Sequence, residues 1–357
     1  MIHILAFLWV LGILIFIHEF GHFLVAKLSG VKVLKFSLGF GPKLIGKKIG
    51  ETEYRISLLP LGGYVKLLGD DPGEEIAQEE EGETFRSQPV RKRMAIVLAG
   101  PLSNLLFAAF IFSLLFGIGI PQLSPVVGKV VDGFPAQKAG VMPGDVILKV
   151  NDEEIAQWSD LLSVIPKSEG KELRIILKRE GEEVSIRVAP RVIKAKNIFG
   201  EEITTYQIGI VPSGESVLKR EPIHKAVVSG FYQTWYVTKL VVVSIIKIIQ
   251  RVIPAKTIGG PILIAQMAGK QAQEGLLSLI FFTAVLSINL GILNLFPIPI
   301  LDGGHLLFLS LEFIIGRPLS VKKLELAQQI GLIIIILLMV FAFYNDIMRI
   351  LLPQGAK

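Results

Sequence analysis

Long apolar runs, interrupted at a few places by single polar residues, dominate this chain, and their lengths set the first expectations. A helix needs about 20 apolar residues to cross the hydrocarbon core of a bilayer. Three runs meet that length: Met94 to Ile120, whose only hydrophilic side chains are Ser103, Asn104 and Ser113; Leu276 to Phe296; and roughly Ala327 to Leu352. A further segment, from about Ile4 to Ala26, carries fourteen unbroken apolar residues before His18 and then turns polar in its last third. Residues 226 to 249, "AVVSGFYQTWYVTKLVVVSIIKII", are apolar but hold Lys239 and Lys247, so they read as an amphipathic element lying at the interface. Between 124 and 190 the pattern changes to short alternating runs such as "DVILKV", "ELRIILKR" and "EVSIRVAP", separated by Gly, Pro and Asp. That alternation predicts a small β-rich globule.

Charge orients these elements. Twelve Lys or Arg lie between Lys27 and Arg93, ending in the cluster "RKR" at 91 to 93 against the second span. The positive-inside rule makes this loop cytoplasmic, which leaves both termini and the β-rich globule outside and gives four spans. The net charge of +6 is therefore explained by membrane orientation, and no nucleic-acid partner is expected. With 51% hydrophobic residues the chain reads as an integral membrane protein whose main partner is the lipid bilayer. There is no cysteine, so disulfides, iron–sulfur clusters and thiolate metal sites are excluded and a metal would need His, Asp or Glu. The N-terminus lacks the basic start and small-residue cleavage site of a signal peptide, so the first segment is expected to be retained.

Polar chemistry inside the first segment is the feature that needs a reason. In "HEFGH", His18 and His22 fall on one helical face, roughly 40° apart, so both rings reach one ion, and Glu19 sits about 100° away. A charged side chain at mid-bilayer costs about 2.5 to 3.5 kcal/mol, which a bound cation would offset. Two histidines leave a catalytic zinc site one protein ligand short. The stretch "NLFPIPILDGGH" at 294 to 305 breaks the third span with two prolines and then presents Asp302, which is the expected third ligand. His305 is the alternative, read instead as an interfacial side chain. Asn294 is expected to hydrogen-bond a substrate backbone or carbonyl oxygen. His3 and His224 have no acidic or histidine neighbours at ligand spacing and read as bystanders.

Two wider resemblances sharpen these readings. The order "AQKAGVMPGDVILKVNDEEIAQWSDLLSVI" resembles a PDZ domain of the bacterial protease type, which implies binding of an extended peptide or protein ligand. HExxH in a first span, a PDZ-like insert and "NLFPIPILDGGH" closing a later span together resemble the site-2 protease family of intramembrane zinc metalloproteases, in particular its bacterial regulator-of-sigma-E group. "SLGFGPKL" at 37 to 44, "LPLGGYVKLLGD" at 59 to 70 and "RMAIVLAGPLSN" at 93 to 104 look like segments of the same family. The resemblance implies that His18, His22 and Asp302 hold Zn2+, that Glu19 is the catalytic acid/base, and that Asn294 contacts substrate. It also implies a membrane-dipping β-structure from Gly39–Pro42 and Gly62–Leu68 beside the site. The implied activity is cleavage of single-span membrane proteins, such as anti-sigma factors or signal-peptide remnants, in the bacterial cytoplasmic membrane. One departure is that a single PDZ-like unit is found where some members carry two.

The expected fold is thus an α-helical membrane protein with about four transmembrane helices, a membrane-dipping β-structure and one inserted extracytoplasmic PDZ-like domain. Its parts are a first span at 1–28, a cytoplasmic loop with the β-structure at 29–93, a second span at 94–120 and the PDZ-like domain at 121–190. A linker and interfacial segment at 191–275, a third span at 276–304, a cytoplasmic loop at 305–326 and a fourth span at 327–352 follow. Residues 72 to 84, "PGEEIAQEEEGET", read as a solvated acidic loop. Two rival classes are a catalytically inactive membrane-anchored PDZ adaptor and a metal transporter.

Overall fold

Apolar length makes helices here, and small residues decide how closely they pack. In the computed structural model, which describes residues 2–70 and 76–352, the chain divides into two compact units. One comprises Met1–Leu115, His224–Ile246 and Pro254–Lys357, and the other Phe116–Ile223 and Lys247–Ile253.

The first unit holds the long helices α1 (Ile2–Leu28), α2 (Val90–Ile118), α5 (Ile223–Ile249), α7 (Leu276–Asn294) and α9 (Val321–Leu351), with two shorter ones, α6 (Pro261–Glu274) and α8 (Asp302–Ile315). Ala6, Val10 and Leu14 of α1 pack with Ala268 of α6 and with Leu279 and Phe282 of α7. Glycines set the closest approaches. A Cβ on Gly21 of α1 would run into the carbonyl of Ala99 and the hydroxyl of Ser103 on α2, and one on Gly291 of α7 would lie 2.9 Å from the Pro101 carbonyl oxygen. Small residues permit this backbone-to-backbone packing where lipid supplies no hydrophobic drive between helices. Pro101 lies inside α2, tolerated because neighbouring helices surround it.

Two long strands, β1 (Val33–Ile49) and β2 (Thr52–Leu67), form an antiparallel hairpin that doubles back on itself. Lys35 to Leu38 pair on one side with Lys66 to Gly63 and on the other with Glu53 to Ile56, while Lys43 to Ile49 pair with Ser57 to Thr52. The result is four adjacent strand segments with Gly63 on an outer one. The backbone of Gly63 lies against α1: a Cβ there would be 2.8 Å from both Glu19 Cγ and Ile15 Cγ2.

The second unit is β-rich. Strands β5 (Val146–Val150), β6 (Glu153–Glu154), β7 (Leu173–Arg179) and β8 (Glu182–Val188) form a sheet in the order β6-β5-β7-β8. Helices α3 (Pro135–Lys138) and α4 (Trp158–Lys167) belong to the same unit, α4 starting with a Gln157/Asp160 capping box. Its core joins Val127, Ile147, Trp158, Leu161, Ile175 and Leu177.

Two expectations change. Residues 191–222 are not a linker: they hold β9 (Arg191–Lys196), β10 (Glu202–Gln207), β11 (Ile210–Pro212) and β12 (Ser216–Lys219). β11 pairs with β4 (Val127–Val130), β12 with β3 (Ile120–Leu123), and Ile208 is buried in the core. Ile210 of β11 packs against that core. The expected loop at 305–326 is mostly helix, since α8 runs from Asp302 to Ile315 and stops at Gly316 in the left-handed conformation. Its apolar stretch is shorter than a span, which is why it escaped the length criterion. Four spans are expected; among the described residues five helices are long and apolar enough to cross, by length and composition, and α5 is the least apolar of them. Of the acidic stretch 72–84, residues 72–75 lie outside the described residues, and Gln78–Glu83 form a 3-10 turn with Glu80 Oε1 2.5 Å from Lys32 Nζ.

Candidate metal centre

The i, i+4 spacing in α1 places the two imidazoles side by side, ring centroids 4.9 Å apart and nearly perpendicular, with Nε2 to Nε2 at 3.3 Å. Asp302 reaches the same point from the first turn of α8. Its Oδ2 is 3.1 Å from His18 Nε2 and its Oδ1 3.5 Å from His22 Nε2. Among the described residues these three side chains form the one group of His and acidic residues whose ligand atoms all lie within 4.8 Å of one another.

The donor set suits a zinc ion. A tetrahedral ion with bonds of about 2.0–2.1 Å separates its ligand atoms by roughly 3.3 Å, close to the 3.1, 3.3 and 3.5 Å found. Three lone-pair-bearing atoms at such spacing repel unless a positive charge lies among them. Asp302 Oδ2 is buried with no hydrogen-bond partner, so one acceptor aimed into the centre is left over.

α2 supplies the support. His22 Nδ1 donates to the Ile96 carbonyl at 2.8 Å, which fixes the tautomer with Nε2 free to ligate. Asn104, fully buried, has its amide Nδ2 3.1 Å from His18 Nδ1. With Nε2 of His18 facing the centre, Nδ1 carries the proton, and turning the amide over, which exchanges its nitrogen and oxygen, lets the Asn104 oxygen accept it. Gly100 leaves the space in which the rings sit: a Cβ there would overlap His22 Nε2. Sequence reasoning assigned no role to Ile96, Gly100 or Asn104. The available signal was an uncharged polar Asn in an apolar span, one turn after a Gly-Pro pair.

The fold also explains why Asp302 arrives here. The "PIPILDGG" connection doubles back under α8, and Gly303 and Gly304 have backbone carbonyls of Leu295, Phe296 and Ile298 where Cβ atoms would be. Ile300 takes φ of 115°, a strained value for a β-branched residue, in forming this turn. Asn294, at the end of α7, has Nδ2 3.3 Å from His18 Nε2 and so borders the centre. Glu19 is buried on α1 beneath Gly63. His305 is not part of the ligand group; it lines a separate cavity of about 800 Å³ with Arg93, Val97, Phe308 and Glu312. His3 lies at the start of α1 against Gly269, and His224 at the start of α5.

Comparison with known proteins places these features in context. The model of peptidase family M50 matches residues 6–338. A protein of Campylobacter jejuni named as a zinc metalloprotease is 37% identical over 353 residues, covering 98% of this chain and 94% of its own length. One of Rhizobium meliloti with the same description is 37% identical over 356 residues, covering 96% and 95%. The regulator of sigma-E protease of Salmonella typhimurium is 32% identical over 444 aligned positions, covering 97% of this chain and 98% of its own length. Those 444 positions against 357 residues leave at least 87 as gaps on this chain's side. A solved PDZ domain of an SdrC-like protein from Listeria monocytogenes is 20% identical and covers 24% of this chain and 84% of its own, at a TM-score of 0.20, which does not establish a shared fold.

Proposed function

This chain belongs to peptidase family M50, and from that premise we propose that it is an intramembrane zinc metalloprotease of the site-2 type, cutting a peptide bond within or near the span of a single-pass membrane protein. The observation that carries the reading is the meeting of His18, His22 and Asp302, nearly three hundred residues apart in sequence, at ligand spacing beside a buried glutamate. Zn2+ held by these three residues would polarise the scissile carbonyl and acidify a water molecule. Glu19 takes the proton from the attacking water on its carboxylate and returns it to the leaving nitrogen. Asn294, bordering His18, donates its amide N–H to a substrate carbonyl and holds the bond in place. A substrate helix hides its carbonyls in hydrogen bonds, so it must unwind locally, and the outer segment of the β1–β2 sheet at Gly63, over Glu19, offers an extended partner.

The substrates in this reading are anti-sigma factors or signal-peptide remnants already trimmed outside, and the enzyme sits in the bacterial cytoplasmic membrane. The basic loop from Lys27 to Arg93 lies in the cytoplasm, near the active site, and the PDZ-like domain outside, where it docks or filters substrates. Four spans with α5 along the interface fit this topology. α5 is the least apolar of the long helices and carries Lys239 and Lys247, which suits a helix lying at the interface.

The test is hydrolysis of a single-span substrate by the purified protein in detergent, with and without a zinc chelator, beside Glu19→Gln. The reading requires cleavage that the chelator stops and zinc restores, and a Glu19→Gln protein that keeps zinc while losing about 100-fold or more in rate. Undiminished cleavage by Glu19→Gln overturns the role of Glu19.

A further inference from the structure

Ten residues beyond Asp302, α8 ends against α2 in a half-buried ion pair. Arg93 Nη2 lies 2.6 Å from Glu312 Oε1 and Nη1 3.2 Å from Oε2, a two-pronged contact with both side chains largely shielded. Arg93 Nε also donates to the Gln88 carbonyl at 3.1 Å, which fixes the guanidinium. Beside it, Arg91 lies over the ring of Phe313, 5.5 Å from its centroid.

The charges sit the wrong way round for helix stability. Arg93 is in the first turns of α2, where the helix dipole favours anions, and Glu312 is in the last turn of α8, where it favours cations. A pair placed against both dipoles points to a role other than stabilising either helix.

That role follows from what the two helices carry. α2 holds the Ile96 carbonyl, Gly100 and Asn104 against the histidines, while α8 brings Asp302. α8 is seated at its start, where Gly303 and Gly304 press on the preceding turn. Glu312 lies eight residues beyond Gly304, about 12 Å along the axis, and Asp302 two residues before it, about 3 Å. Pivoting there, a 2 Å swing of the far end moves Asp302 by about 0.5 Å, the size of displacement that degrades a functional site.

We propose that Arg93 and Glu312 form a latch between α2 and α8 that sets the position of Asp302 relative to His18 and His22. Both are positioning residues. The proposal rests on the reading of these three residues as zinc ligands.

The experiment measures the zinc dissociation constant of the full-length protein in detergent by competition with a chromophoric chelator, along with Tm, kcat and KM. Its variants are Glu312→Gln and the double exchange Arg93→Glu with Glu312→Arg. The latch predicts that Glu312→Gln weakens zinc about tenfold and lowers kcat with little change in KM. The exchange, which restores the pair and suits both dipoles, brings zinc affinity and kcat back to within about twofold. A Glu312→Gln protein with lowered Tm but unchanged zinc affinity and kcat overturns the latch. So does a well-folded exchange variant that fails to recover zinc. A wild-type protein that binds no zinc rejects the reading of the metal centre itself, and the latch with it.

Discussion

Gly100→Ala adds one methyl group in the middle of α2, and two opposing effects of that methyl can be separated. As a helix residue, Ala is favoured over Gly by about 1 kcal/mol. As a neighbour of the metal centre it intrudes, since the added Cβ would lie 2.6 Å from His22 Cε1 and 2.9 Å from His18 Cε1, and would overlap His22 Nε2. These fall short of ordinary contact at 3.4 Å by 0.8 and 0.5 Å. Overpacking of this kind costs about 1–3 kcal/mol, so the net change in stability is a loss of about 0–2 kcal/mol. Metal bonds tolerate only about 0.2 Å, so the rings cannot both yield and still share an ion. The expected outcome is a folded protein with a modestly lowered Tm and zinc affinity reduced about 100-fold or more. Thermal unfolding and chelator competition on the purified variant measure the two quantities. Zinc affinity equal to wild type in Gly100→Ala would refute the argument that α2 moulds the site.

Other outcomes follow from the same geometry. Asn104→Leu keeps the volume but leaves the His18 Nδ1 proton buried without an acceptor, at about 1–3 kcal/mol; zinc should weaken about 10–100-fold, read by the same competition, and unchanged affinity would show that the amide does not orient the ring. In the β-rich unit, Asp145 is buried and pairs with Arg179 at 2.7 Å. Burial works to raise its pKa, but the Arg179 guanidinium and the Met142 amide N–H together hold it below the usual carboxylate value. Because the folded value is the lower one, the stabilisation is fully present above the ordinary Asp pKa near 3.9 and is lost as pH falls towards the folded value. Thermal unfolding of the full-length protein from pH 7 down to pH 3 should show a transition of the β-rich unit that falls in acid, and Arg179→Met should lower that transition at pH 7. A transition indifferent to Arg179→Met would show that the pair contributes nothing.

The parts legible in the sequence were those carried by spacing or by length. His18 and His22 follow from helical periodicity alone, and a carboxylate trapped behind two prolines and before two glycines made Asp302 stand out. The supporting residues were hidden for a physical reason. Gly100 acts by lacking a side chain and Ile96 through its carbonyl, and neither function leaves a mark on residue type. α8 was missed because its apolar run is too short to span and follows a broken segment. β9 to β12 were missed because their alternation is weak: β12 is exposed along its whole length, and in this stretch Ile208 is buried in the core with Ile210 packed against it. The Arg93–Glu312 contact joins residues more than two hundred positions apart, and within the sequence Arg93 was fully accounted for as part of a topogenic basic cluster.

The most direct measurement is the zinc content of the purified protein, by mass spectrometry after exhaustive dialysis, for wild type, Asp302→Ala and the control Glu325→Ala. The structure predicts one zinc ion per chain in wild type and control and a near-complete loss in Asp302→Ala. A full complement of zinc in Asp302→Ala would mean that α8 does not complete the site begun by α1.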